Sequence, residues 1–215
     1  MSRERVGSGS KITRATLTAW RARTLGPVPR PFRVQLAGGI YHVVARGNRQ
    51  QAIFGDETDY LRFLELLGTV VNRFGWRCHA YCLMPNHFHL VIETPQANIS
   101  AGMQWLNGRY AQWFNIRYGF SGHLFQGRFY SELVESAYHL LELVRYIVLN
   151  PVRAGLCRDA SRWRWSCYRA MVGEAKSAAL LTVGWLLAQF GRDLVRARQT
   201  FRGFVQDAPA RPRPP

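Results

Sequence analysis

The stretch Leu83-Met84-Pro85-Asn86-His87-Phe88-His89-Leu90-Val91-Ile92-Glu93 constrains the fold more than any other part of the chain. Side chains alternate along a strand, so His87, His89, Val91 and Glu93 fall on one face and Phe88, Leu90 and Ile92 on the other. The apolar set goes inward. The other set brings two imidazoles within reach of one metal ion or one phosphate. Pro85-Asn86 reads as a tight turn from a preceding strand, which makes the stretch the second half of a hairpin.

Apolar spacing on either side of the hairpin predicts the remaining elements. Gly39 to Arg46 is a strand, followed by a turn at 46–49 whose Gly47 permits unusual dihedrals. Asp56 to Phe74 is a helix, with Tyr60, Phe63, Leu64, Leu67, Val70 and Val71 at helical spacing. Arg77 to Met84 and His87 to Glu93 are the paired strands, Ile99 to Tyr118 a second amphipathic helix, and Phe129 to Val134 a fourth strand. Strand, helix, two strands, helix, strand is the order of an α+β, ferredoxin-like or RRM-like split βαβ domain, an antiparallel sheet with helices on one face. A third helix runs from Ala137 to Asn150, where Pro151 is expected to end it. Additional C-terminal helical material follows between Leu180 and Val205. The expected organisation is a basic arm over 1–30, partly helical from Ile12 to Arg23, a main domain over 31–156, a helical extension over 157–207 and a Pro/Arg tail from 208 on.

With 29 Lys and Arg against 13 Asp and Glu, the formal net charge is +16, enough to attract a polyanion. The basic residues are mostly arginine, interleaved with Trp, Tyr and Phe, a mixture suited to phosphate forks and base stacking. Nucleic acid is therefore favoured over an anionic membrane as the partner. No apolar run approaches the roughly 20 residues of a membrane span, and the N-terminus lacks a secretory pattern, so a cytoplasmic protein is expected. Cys78, Cys82, Cys157 and Cys167 do not form paired C-x-x-C motifs and read as buried reduced thiols.

Two histidines need a third ligand and a nucleophile before they make a catalytic metal site. At about 100° per residue, His139, Glu142, Tyr146 and Asn150 fall within roughly 80° of one another on the third helix, beside an apolar face of Leu140, Leu141, Val144, Ile147 and Val148. The Asn150 carbonyl could then complete a metal site while the Tyr146 hydroxyl points at a substrate. His139 and Glu142, one turn earlier, read as solvated rather than as proton acceptors. The rival nucleophile, Tyr110, lies on the apolar stripe of its helix with Leu106 and Phe114 and reads as a core tyrosine.

Five blocks, GGIYHVVARGN (Gly38 to Asn48), MPNHFHLVIETP (Met84 to Pro95), GRYAQWFN (Gly108 to Asn115), GHLFQGRF (Gly122 to Phe129) and RYIVLNPVRAGL (Arg145 to Leu156), resemble the REP-associated tyrosine transposases. These belong to the single-tyrosine group of the HUH (His-hydrophobic-His) superfamily. The similarity covers about residues 30–205. It implies a metal-dependent enzyme that nicks and joins single-stranded DNA at palindromic repeats forming hairpins. By resemblance His87 and His89 match the HUH pair, Tyr146 the nucleophile and Asn150 the third, amide-bearing ligand of Mg²⁺ or Mn²⁺. That ligand is often Gln in related transposases, so Asn150 is a shorter arm. Arg46, Arg49, Gln126 and Arg128 are the candidate DNA contacts, with Arg128 open to a second reading as a brace of the fold. Trp163 and Trp165 read as anchors for the C-terminal helices rather than as base-stacking groups. Two other functions fit the same residues: a non-catalytic binder of hairpin DNA or RNA, and a metal phosphoesterase that activates water and forms no tyrosine adduct. The resemblance leaves open a monomer or a homodimer and points to no protein partner.

Overall fold

The computed structural model describes residues 34–208; the expected basic arm with its helix over 12–23 and the Pro/Arg tail beyond 208 lie outside the described residues. Four strands, β1 (Gly39–Arg46), β2 (Arg77–Met84), β3 (His87–Thr94) and β4 (Tyr130–Leu133), form one sheet in the order β2-β3-β1-β4, with every pairing antiparallel. Helices α1 (Glu57–Phe74) and α2 (Ile99–Tyr118) fill the two crossovers, which is the expected split βαβ arrangement.

The apolar side of the sheet, carrying Tyr41, Val43, Ala45, Phe88, Leu90 and Ile92, is buried beneath α1 and α2. Phe63 of α1 packs on Phe88 at 4.6 Å between ring centroids and edge-on to Tyr110 of α2 at 5.2 Å. Both helices have strong termini. Asp56 caps α1 by accepting from the Thr58 and Asp59 amides, and Gly75 closes it in the left-handed region at φ 65°. Arg117, at the end of α2, bonds both Asp56 and the fully buried Asp59, so the start of one helix is tied to the end of the other.

The histidine side of the sheet is covered as well, by α3 (Ala137–Arg153). Here the structure corrects the expected helix end. Pro151 lies inside the helix, because proline lacks only the amide donor and its carbonyl still accepts, here from Leu156 N at 2.9 Å. Gly155 N bonds Val152 O, and Gly155 has φ 70°, so the glycine, four residues past the proline, terminates the helix.

Beyond α3 come the short α4 (Tyr168–Met171), α5 (Val183–Leu187) and α6 (Leu194–Gln206); Gly191 and the capping residue Asp193 interrupt the helical stretch expected between 180 and 205. This segment covers the otherwise open edge of β2. Leu83 N bonds Trp165 O, Cys167 N bonds Tyr81 O, and Thr182 N bonds Cys78 O, so the edge amides and carbonyls are satisfied. Trp163 donates its indole N–H to Leu83 O at 3.0 Å and Trp165 stacks on Tyr60 at 4.3 Å, which makes both anchors of the extension. Cys78, Cys82 and Cys167 are buried free thiols, and Cys157 is partly exposed. Among the described residues, no helix is long and apolar enough to cross a membrane.

Candidate active site

The β1–β3 register places Arg46 opposite His87, Val44 opposite His89 and His42 opposite Val91. His42, Val44, Arg46, His87, His89, Val91 and Glu93 therefore share the face turned toward α3. Glu93 is not available to the histidines, since it accepts from Arg77 at 2.5 Å and pairs with His79 at 2.9 Å. Cys82, opposite His89 on β2, has its thiol pushed well above its ordinary value by burial and stays protonated.

Each histidine of the pair is held from behind. Asn86, in the hairpin turn, donates its amide to Gln50 O at 3.1 Å, so its oxygen faces His87 and accepts from Nδ1 at 2.7 Å. His87 consequently keeps a lone pair on Nε2, the nitrogen free to ligate. His89 stands with its ring 5.0 Å from that of His87, its Nε2 3.1 Å from the Asn150 side-chain nitrogen and its Nδ1 2.9 Å from Nε2 of His42. Burial lowers the His87 pKa to about 4 and lowers His89 well below its ordinary value, with the Arg46 guanidinium acting in the same direction on both. Neutral imidazoles are the form a metal ion requires. His42 is likewise lowered to about 4, chiefly by burial.

Tyr146 is half-buried on α3, one turn before Asn150. Its ring meets His89 edge-on at 5.7 Å, and the Arg153 guanidinium lies 5.3 Å from its centroid. Glu142 is engaged by Arg145 and His139 flanks the helix start, where Ser136 caps its amide. Tyr110, by contrast, lies on the other side of the sheet with its hydroxyl donating to Ile53 O at 2.5 Å and no exposed surface.

Of the other candidate residues, Arg46 is exposed at the end of β1 beside the histidines. Arg49 is exposed in the loop after β1, and there the structure makes a second correction. The left-handed residues are Arg49 (φ 53°) and Gln50 (φ 60°), whereas Gly47 has φ −58°. Glycine is needed at 47 for space, because a Cβ would stand 2.1 Å from Gln51 O. Gln126 and Arg128 are exposed on the loop before β4, which is joined to this end of the sheet through Gln126 N to Arg46 O and Asn48 N to Leu124 O. They border a groove of about 700 Å³ between that loop and α2, lined also by Asn48, Gln104, Asn107 and His123. The structure thus gathers His87, His89, Asn150, Tyr146 and Arg46 at one place, while Gln126 and Arg128 line the groove beside α2 and Arg49 is exposed on the loop after β1.

Two residues at the site were not anticipated. His42 follows the same alternation as Val44 and Arg46, but only the strand register reveals that it reaches His89. Arg153 lies seven residues after Tyr146, two turns along the same helix face, and was hidden by the assumption that Pro151 ends the helix.

The family described as IS200-like transposase matches residues 36–150, more than half of the chain. The chain belongs to the IS200-like transposase family. No curated protein is significantly similar. Among solved structures, this transposase resembles a REP-associated tyrosine transposase bound to a REP hairpin, with TM-score 0.59, 19% identity, and coverage of 72% of this chain and 92% of that one. That likeness is one of fold, and it includes the four-stranded antiparallel sheet with its helices. A transposase structure from Deinococcus radiodurans matches over 55% of this chain and 92% of its own at 20% identity, with a TM-score of only 0.39.

Proposed function

We propose that this transposase nicks and rejoins single-stranded DNA at hairpin-forming palindromic repeats, with Tyr146 as nucleophile and a divalent metal ion held by His87, His89 and Asn150. The observation that carries the reading is the convergence of the His89 ring, the Asn150 side chain and the Tyr146 ring from two different elements. Two neutral imidazoles and an amide whose oxygen can turn inward could hold a divalent ion; Mg²⁺ or Mn²⁺ is what the family resemblance implies, and the nitrogen donors favour Mn²⁺ of the two. No three His, Cys, Asp or Glu side chains cluster as metal ligands among the described residues; in this reading the third ligand is the Asn150 amide, beside His89. When bound, the ion supplies charge stabilisation at the scissile phosphate.

The chain's own residues do the rest. Tyr146 Oη attacks phosphorus, the bond from phosphorus to the 3′ oxygen breaks, and the phenolic proton is lost to solvent while the departing oxygen gains one. The products are a 5′-phosphotyrosine and a free 3′-OH. Because the phosphodiester energy is retained in the covalent link, a second 3′-OH can reverse the step and join strands without ATP. Arg153 beside the Tyr146 ring and Arg46 beside His87 supply positive charge for the phosphate. Gln126 and Arg128 on the groove beside α2, with Arg49 on the exposed loop after β1, offer contacts for the flanking DNA. A chain acting on DNA in this way would work in the cytoplasm, with DNA as its partner.

Incubation with a single-stranded hairpin from the repeats flanking its gene, with Mn²⁺ or with a chelator, tests the reading on a denaturing gel. A protein–DNA adduct that requires metal is expected. Cleavage without an adduct would replace the reading with a water-activating phosphoesterase, and binding without cleavage would replace it with a recognition module.

A further inference from the structure

We propose that His42 is the positioning residue of His89: its Nε2 accepts the proton on His89 Nδ1 and so keeps the His89 Nε2 lone pair turned toward Asn150. The inference rests on the reading of His89 as a metal ligand.

His42 Nε2 and His89 Nδ1 are 2.9 Å apart with the two rings 13° from parallel, so one proton lies between them. Which ring owns it follows from the far side of His89. There Nε2 faces the Asn150 side-chain nitrogen at 3.1 Å, and an amide nitrogen can only donate. Nε2 is therefore the acceptor, the His89 proton sits on Nδ1, and His42 Nε2 receives it. The same arrangement is needed when Asn150 turns its oxygen inward for a metal ion, because an imidazole ligates through an unprotonated nitrogen.

The strand register explains why a long side chain is required at position 42. His42 is directly opposite Val91, and Val44 stands opposite His89, so the contact is a diagonal one across β1 and β3. Both rings are nearly closed to water, at 8% and 5% exposure, so solvent does not supply a substitute acceptor. The two proposed ligand histidines are thus held in the same way, His87 through the Asn86 oxygen and His89 through His42, and in each case Nδ1 donates and Nε2 is left unprotonated.

The test is long-range ¹H–¹⁵N NMR of the metal-free, histidine-labelled full chain, together with Mn²⁺ titration followed by electron paramagnetic resonance, for wild type, His42→Phe and His42→Gln. In wild type, His89 should carry its proton on Nδ1. His42→Phe keeps a ring but removes the acceptor: His89 should lose the fixed tautomer and Mn²⁺ should bind about 10–100-fold more weakly. His42→Gln restores an acceptor and should recover both the tautomer and an affinity within about threefold of wild type, a rescue that ring packing alone does not predict. A wild-type His89 protonated on Nε2 overturns the proposal, as does an unchanged tautomer and affinity in His42→Phe. If His42→Phe fails to fold, the wild-type tautomer and the His42→Gln result decide it. A wild type that binds no Mn²⁺ removes His89 as a ligand, and the tautomer then decides His42 by itself.

Discussion

Tyr110 and Tyr146 sit on helices that pack against opposite faces of one sheet, and their surroundings differ in kind. Tyr110 is enclosed by Phe54, Phe63 and Phe114, its hydroxyl donates to a backbone carbonyl, and burial pushes its phenol far above the ordinary value. Tyr146 is half-buried against an imidazole and a guanidinium. A phenol whose proton is committed to a buried carbonyl is a structural strut. A phenol on the polar side of the sheet, beside an imidazole and a guanidinium, is placed where a substrate phosphate could meet it. The residue type is the same, so the sheet face decides the role, and that face is set by the two-residue alternation of β3.

Phe88 and His89 split the two faces between adjacent residues, and replacing each should break different things. Phe88→Ala should cost about 3–5 kcal/mol of stability, because it empties a position with no exposed surface packed on Phe63. His89→Gln should cost less, about 1–2 kcal/mol for the disturbed bonds to His42 and Asn150, yet abolish Mn²⁺ binding. Urea unfolding beside metal titration checks the pair, and a His89→Gln protein as unstable as Phe88→Ala would erase the distinction.

The polar face should also give the fold an acid sensitivity that the apolar face lacks. His42 and His87 have their pKa lowered to about 4 from 6.5. Below about 6.5 the unfolded chain takes up protons at these positions while the folded chain does not until about 4. Stability of the metal-free protein should therefore be full above about 6.5 and fall as pH drops from there to about 4, by about 2–3 kcal/mol per histidine. Unfolding midpoints at a series of pH values measure this, and a flat profile across that window would contradict buried neutral histidines.

Tyr110→Phe should lose about 1–2 kcal/mol, the effect of leaving Ile53 O unpaired, and should keep full strand-cleaving activity. Loss of cleavage in that variant at unchanged stability would invert the comparison. The smallest effect is expected at the groove: Arg128→Ala should weaken binding of all single-stranded flanks alike and reduce the salt slope by about 1, measured by titration at several ionic strengths.

The alternation of His87 to Glu93, the Pro-Asn turn and the helical stripes of α1 and α2 were legible because each is a local pattern. The strand at 39–46 follows from the same kind of reading. The convergence of Tyr146 and Asn150 was legible for a similar reason, being a spacing within one helix. What escaped were facts of register and of space. His42 reaches His89 only because β1 pairs antiparallel with β3 in one particular register. Arg153 reaches Tyr146 only because a proline near a helix end still offers its carbonyl to a Schellman closure at Gly155. Gly47 is glycine because of Gln51, four residues away, and not because of its own dihedrals.

The most direct test of the central claim is mass spectrometric mapping of the residue that becomes joined to DNA. Wild type and Tyr110→Phe, incubated with a repeat hairpin and Mn²⁺ and digested with protease and nuclease, should both yield a peptide bearing a 5′-linked nucleotide on Tyr146, and Tyr146→Phe should yield none. A nucleotide found on Tyr110, or an adduct that survives in Tyr146→Phe, would contradict the assignment of the chemistry to the histidine face of the sheet.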